Sequence, residues 1–263
     1  MISGTLQSKA LAFLAEVESK AKEEGRQAAK AEFDKQLAAI TGNQKEESEQ
    51  TAPEPQTNDP VNENYSSAKV ISELLAIKGN NPYAFGIVDV LGNVYADGKE
   101  WEQDGKPHVL GIGFTDGTHH LCMGAKAVSS CRYGDNGKYD GVFTSTDMWG
   151  KVLSDYSGSS NTEGIVKVTK NSIAWKCREL SGYLPAYAEL NAYWKRFEEV
   201  DVLLKAIGGD MLRTTMGSQI MWTSTNKNDT TAYGLMYYSA SKKSQPVAKT
   251  KTTSYPTRVF FNL

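Results

Sequence analysis

The chain has 263 residues, 40% hydrophobic and 23% charged, with a mean hydropathy of -0.47, an ordinary globular composition that supports one to two domains with a sizeable core. No apolar run approaches the roughly 18 residues of a spanning helix. The formal charge of -2 lacks the basic excess of a nucleic-acid-binding domain, so neither membrane insertion nor nucleic acid is expected.

The first residues lack the basic start and uninterrupted apolar stretch of a secretory signal, because Glu16 and Glu18 interrupt the apolar positions. This predicts a chain made and kept inside a cell. The three cysteines, Cys122, Cys131 and Cys177, include no Cys-x-x-Cys pair and read as free buried thiols.

Residues 5–40 hold no proline and place Leu6, Ala10, Phe13, Val17 and Ala21 at helical spacing. Gly25 interrupts the stripe, and Phe33, Leu37 and Ile40 continue it on a different face, so a long coiled coil is not expected. The stripe of Leu6, Ala10, Phe13 and Val17 needs a partner, either a second copy, a larger assembly or its own domain. Residues 43–64 carry three prolines and almost nothing apolar, the composition of a disordered linker, whose flexible reach is roughly 26 Å. Three parts follow: an anchoring and oligomerisation helix at 1–42, a linker at 43–64, and a head at 65–263. The head divides into a β-rich part at 65–150 and a second part at 151–263. Residues 1–64 carry 7 basic against 12 acidic side chains, and the head 22 against 19.

In the head, Ser67 to Lys78 reads as a short helix, followed by strands at 84–90 and 93–96 forming a hairpin. A second strand pair, 108–114 and 118–125, is joined through Asp116-Gly117. The polar, glycine-containing stretch from Ser154 to Glu163 reads as a surface loop. Helices are expected from Asn171 to Leu180 and from Ala186 to Ile207, the latter ended by Gly208-Gly209. Strand-like runs IMWTST, TAYGLMYYS and RVFFNL follow, with lysine-rich loops between them.

Catalytic patterns are scarce. The chain has no Gly-x-Ser-x-Gly elbow, no phosphate-binding loop and no His-Glu-x-x-His. Adjacent His119 and His120 on a strand point to opposite faces, poor geometry for one metal. Cys177 and Glu189 read as a core thiol and a helix-face carboxylate. Asp210 and Asp229 are too few and too scattered for a calcium cage. No catalytic residue, cofactor or metal is therefore expected.

The C-terminal third has an ordered set of short words: Gly182-Tyr-Leu-Pro-Ala-Tyr-Ala-Glu-Leu190, a helix ending in Ile207-Gly208-Gly209, then Met221-Trp-Thr-Ser-Thr225, Ala232-Tyr-Gly-Leu-Met236 and Arg258-Val-Phe-Phe261. Together with GIVDVLGNVYADGKEW at 86–101, the GIGF strand and Trp149-Gly150, this succession resembles the C-type-lectin-like domains of gut-phage and bacterial variable proteins. The resemblance covers roughly residues 84–263. It implies an α+β, C-type-lectin-like mixed fold with small twisted antiparallel sheets and two to three helices, with Trp222 and the terminal strand in the core. The fold is shared with formylglycine-generating enzymes, but no cysteine pair stands where their chemistry would need one. Variable proteins diversify Asn-type codons that cannot yield lysine, whereas Lys227, Lys242, Lys243, Lys249 and Lys251 crowd this region, so active hypervariation is not expected.

The resemblance implies a phage virion structural protein, a head fibre or other surface fibre of a tailed phage, made in the host cytoplasm. Its head would bind a host-surface glycan or protein, and its helix would join other virion proteins as a homo-oligomer, with a trimer expected. The candidate ligand-binding residues are Asn226, Lys227, Asn228, Asp229, Tyr233, Tyr237, Tyr238, Ser239, Ser241 and Lys242, a mixture of tyrosine and small polar side chains suited to adaptable recognition. Residues 210–263 carry 7 basic and 2 acidic side chains, which fits an acidic glycan, another anionic surface or a solvated basic loop with no ligand. Tyr233, Leu235 and Tyr237 have an alternative place, alternating into the core of a strand. A host-encoded surface lectin and a capsid-decoration protein without external ligand are the rival functions.

Overall fold

The computed structural model describes residues 66–212, 218–238, 241 and 243–263. The expected anchoring helix with Leu6, Ala10, Phe13 and Val17, and the linker at 43–64, lie outside the described residues.

The head is mixed α+β. Helix α1 (Ser67–Lys78) precedes the hairpin β1 (Ala84–Asp89) and β2 (Val94–Tyr95), the short helix α2 (Gly98–Gln103), and the hairpin β3 (Val109–Thr115) and β4 (His120–Arg132). A 3-10 turn (Lys151–Ser154) leads to helices α3 (Gly158–Val168), α4 (Ile173–Glu179), α5 (Tyr187–Trp194) and α6 (Phe197–Ala206). Strands β5 (Ser218–Asn226), β6 (Thr231–Tyr238), β7 (Lys243–Thr250) and β8 (Ser254–Phe261) complete it.

Two antiparallel sheets result, one of five strands in the order β2-β1-β3-β4-β8 and one of three in the order β5-β6-β7. In the larger sheet the register aligns Tyr95, Ile87, Ile112, Met123 and Phe260 in one row across all five strands. These side chains join one apolar core with Leu190, Tyr193, Phe197, Val200 and Leu204 of α5 and α6. Val88, Cys122 and Phe261, one residue along on their strands, join a second core with α1, α3 and α4. A sheet covered on both faces needs apolar residues at successive positions, which is why β1 and β3 read as near-continuous apolar runs. Tyr193 pins α5 to this sheet by donating to the carbonyls of Ile112 at 2.8 Å and Leu121 at 3.1 Å. At the β8 edge, Tyr183 exchanges backbone hydrogen bonds with Phe260.

The smaller sheet joins the larger through Trp222, which is fully buried. Its indole N–H is shared between the carbonyls of Cys131 and Thr253, both at 3.2 Å, and its own carbonyl accepts from the Thr257 hydroxyl at 2.7 Å.

Four expectations need correction. The described residues contain six α-helices, not two to three. The expected loop at 154–163 gives way at Gly158 to α3, where Asn161 and Thr162 are buried and bonded, Thr162 to the carbonyl of Gly158 and the N–H of Leu184; tertiary partners override weak helix propensity. The single helix expected over 186–207 breaks at Lys195-Arg196, although Leu190, Tyr193, Trp194, Phe197 and Val200 all remain in one core. One lysine-rich "loop" is β7, an edge strand, where lysine and Pro246 are tolerated because no further strand pairs there.

Candidate ligand-binding groove

The ten residues singled out in the sequence do not form one face. Tyr233 and Tyr237 are buried in the core beside Leu235, so the alternating strand reading is the correct one for them. Asn226 is buried too, its amide donating to the Thr144 hydroxyl at 3.1 Å and its backbone paired with Phe143 and Ser145. Lys227, Asn228 and Asp229 form the β5–β6 turn. There the Asn228 side-chain oxygen accepts from the N–H and hydroxyl groups of both Thr230 and Thr231, a turn-building task. Tyr238 and Ser241 lie at the opposite end of the sheet, roughly 23 Å away along the strand rise. The Tyr238 hydroxyl accepts from Gln245 at 3.0 Å. Ser239 and Lys242 lie outside the described residues.

The cationic surplus of residues 210–263 is also partly internal. Lys251 is fully buried, donating to the Gly137 carbonyl at 2.7 Å with its ammonium 4.1 Å from the Tyr139 ring centroid. Burial pushes it down to about 8, against the opposing pull of Asp229. Arg258 is equally buried and donates to the carbonyls of Ala125, Asp210 and Met211.

A groove of about 370 Å³ opens beside the 238–243 end of the small sheet. Its floor is one face of α5, where Tyr187, Asn191 and Trp194 recur at helical spacing. One wall is β7, through Lys243, Ser244 and Pro246. The Ser244 hydroxyl donates to the Asn191 side-chain oxygen at 2.7 Å and locks wall to floor. The other wall is Trp149 and Leu153. Trp149 is 65% exposed yet stands on a fixed turn: the Asp147 carboxylate accepts from the N–H groups of Gly150 at 2.9 Å and Lys151 at 3.2 Å. A side chain on residue 150 would collide with that carboxylate, so glycine there leaves room for the Asp147 bonds. Lys195 and Arg196, at the break between α5 and α6, complete the lining. The Arg196 guanidinium sits 4.5 Å from the Tyr83 ring centroid.

A buried polar network ties the segment after Leu153 to α5 and β5. Asp155 accepts from the Ser157 N–H at 2.9 Å and the Thr225 hydroxyl at 2.6 Å, and its carbonyl accepts from Ala188. Glu189 accepts from the Ala186 N–H at 2.7 Å and caps α5. The carboxylate is buried rather than on an open helix face, and burial pushes it up to about 7, with the nearby Asp155 charge adding and the N–H groups of Ala186 and Gly158 opposing. Its only sequence signal is a glutamate at the third helical position, because Ala186 at the N-cap lacks the side-chain oxygen of a full capping box.

Cys122 and Cys177 are buried thiols, pushed up by burial. His119 stacks on Tyr156 with centroids 3.7 Å apart, and His120 meets the Thr115 hydroxyl at 2.8 Å, so the two rings serve different partners. Among the described residues no three His, Cys, Asp or Glu side chains converge as a metal cage, and no helix is long and apolar enough to cross a membrane. Compared with protein-family models, curated proteins and solved structures, the chain matches none.

Proposed function

We propose that this chain is a surface-displayed virion protein of a tailed phage, a head fibre or a similar fibre, whose head attaches to a host-surface glycan or protein. The N-terminal stripe of Leu6, Ala10, Phe13 and Val17 supplies assembly with other virion proteins and with copies of itself, and residues 43–64 supply reach. The phage context rests on the resemblance of residues 84–263 to C-type-lectin-like variable proteins. The observation that carries the binding role is Trp149, 65% exposed on a fixed turn at the mouth of a groove. A large aromatic held in water has no use in a core, and an exposed apolar surface beside polar donors marks an interaction site.

Two measurements on the full chain test this reading. Light scattering is expected to give a trimer or larger, and a monomer for the Phe13→Asp, Val17→Asp double variant. Labelled protein is expected to decorate cells of the host from which the phage is propagated. A chain that stabilises purified capsids while binding no cells is a decoration protein, and the attachment reading falls.

A further inference from the structure

We propose that the Trp149 groove binds an anionic saccharide, a sugar carrying a carboxylate or sulfate group, without a metal ion. The ligand class rests on the attachment reading and adds to it a site and a chemistry.

The charged side chains lining the groove are Lys195, Arg196 and Lys243; none is a carboxylate, and none of the three forms an ion pair among the described residues. They come from two separate places, Lys195 and Arg196 from the α5–α6 break and Lys243 from the start of β7. Convergence of like charges raises the energy of the free site and lowers it once an anion enters. Glu199, in the first turn of α6, is engaged by the Tyr83 hydroxyl at 2.9 Å and does not line the groove. The helix break also sets the carbonyl end of α5 against the amide end of α6, so the two dipoles offset each other and side chains decide the local sign. Arg196 is held on the Tyr83 ring, and a stacked, planar fork is well placed to receive a carboxylate or sulfate.

The uncharged part of the lining selects further. The Trp194 indole N–H in the floor is buried and has no acceptor among the described residues, although buried donors are nearly always paired. Trp149 makes no hydrogen bond or ring contact among the described residues, leaving an indole face for the C–H side of a sugar ring. A volume of about 370 Å³ lies at the small end of the roughly 300–1,000 Å³ usual for ligand pockets, enough for a ring or two. A single-stranded nucleic acid would call for successive stacking platforms along a basic track, whereas this groove has one exposed indole.

The test is calorimetry on the full chain with 3′-sialyllactose, trigalacturonate and a chondroitin sulfate tetrasaccharide, each against lactose and an oligothymidylate, in EDTA. At least one acidic sugar is expected to bind about tenfold or more tighter than lactose. Added salt should weaken it. Trp149→Ala and the Lys195→Ala, Lys243→Ala double variant should each cost about tenfold or more, with melting temperatures unchanged because these side chains are exposed. Binding that survives Trp149→Ala, needs a divalent ion, or is equalled by the oligothymidylate overturns the proposal. If no acidic sugar binds but labelled protein still decorates host cells, the ligand class falls and attachment stands; if neither occurs, both fall.

Discussion

Glu189 shows how one side chain ties the stability of the head to pH. Its carboxyl is 3% exposed and held up to about 7 from an ordinary 4.5, so between those values the folded chain holds a proton that the unfolded chain has released. The stabilisation is therefore fully present below about 4.5 and is lost as pH rises through 7. Between pH 5 and 8 this single group should withdraw about 2 to 3 kcal/mol of stability. Glu189→Gln keeps an acceptor for the Ala186 N–H and removes the titration. Urea unfolding at the two pH values should show a smaller fall for the variant than for the parent; equal falls would refute the assignment. The same scale explains which candidate binding residues were legible. A tyrosine in a sequence does not say which side of a strand it occupies, and Tyr233 and Tyr237 share the inward side with Leu235. Trp149 was visible only as part of a Trp-Gly word, because its exposure depends on a turn built by Asp147.

Elements were most legible where their signals are local. Helix α1 runs over Ser67–Lys78 as its spacing predicts, with Val70 and Leu74 inward, and both early hairpins form in the expected order. The groove was not legible, because its parts come from residues 149–153, 187–196 and 243–246, segments that meet only after two sheets have packed. β7 was missed for a related reason: an edge strand has polar residues on its open side, and its pairing with β6 leaves no apolar run. Close approach is an element-scale property with its own test. At Gly113 an added Cβ would lie 2.7 Å from Val88 and 3.1 Å from Leu74, so the glycine sets how near α1 rests on the sheet. Gly113→Ala should destabilise the fold by about 1 to 3 kcal/mol, read as a lower midpoint with an unchanged denaturant slope. An unaltered midpoint would mean that α1 shifts freely, contrary to the packing of Leu74 at zero exposure.

For the whole molecule, the question is what a head with a modest groove would gain from the proposed N-terminal helix and tether. As the proposed site, a groove of about 370 Å³ with a single exposed indole would suit weak attachment, since a small contact must still offset the freedom lost on binding. If the N-terminal stripe gathers several copies, a second head meets its target at an effective concentration set by the 43–64 tether. Such linkage commonly raises overall avidity by about 10² to 10⁴ with no new contact. Monovalent and multivalent binding therefore separate cleanly. The Phe13→Asp, Val17→Asp variant should keep the parent's calorimetric affinity for a soluble sugar yet leave a sugar-coated surface at least about tenfold faster. Equal dissociation from the surface would mean that the heads act singly, and the stripe would then need another purpose, such as seating one copy on the particle. A loss of soluble-sugar affinity in the same variant would instead tie the stripe to the head itself, against the division into anchor, tether and head.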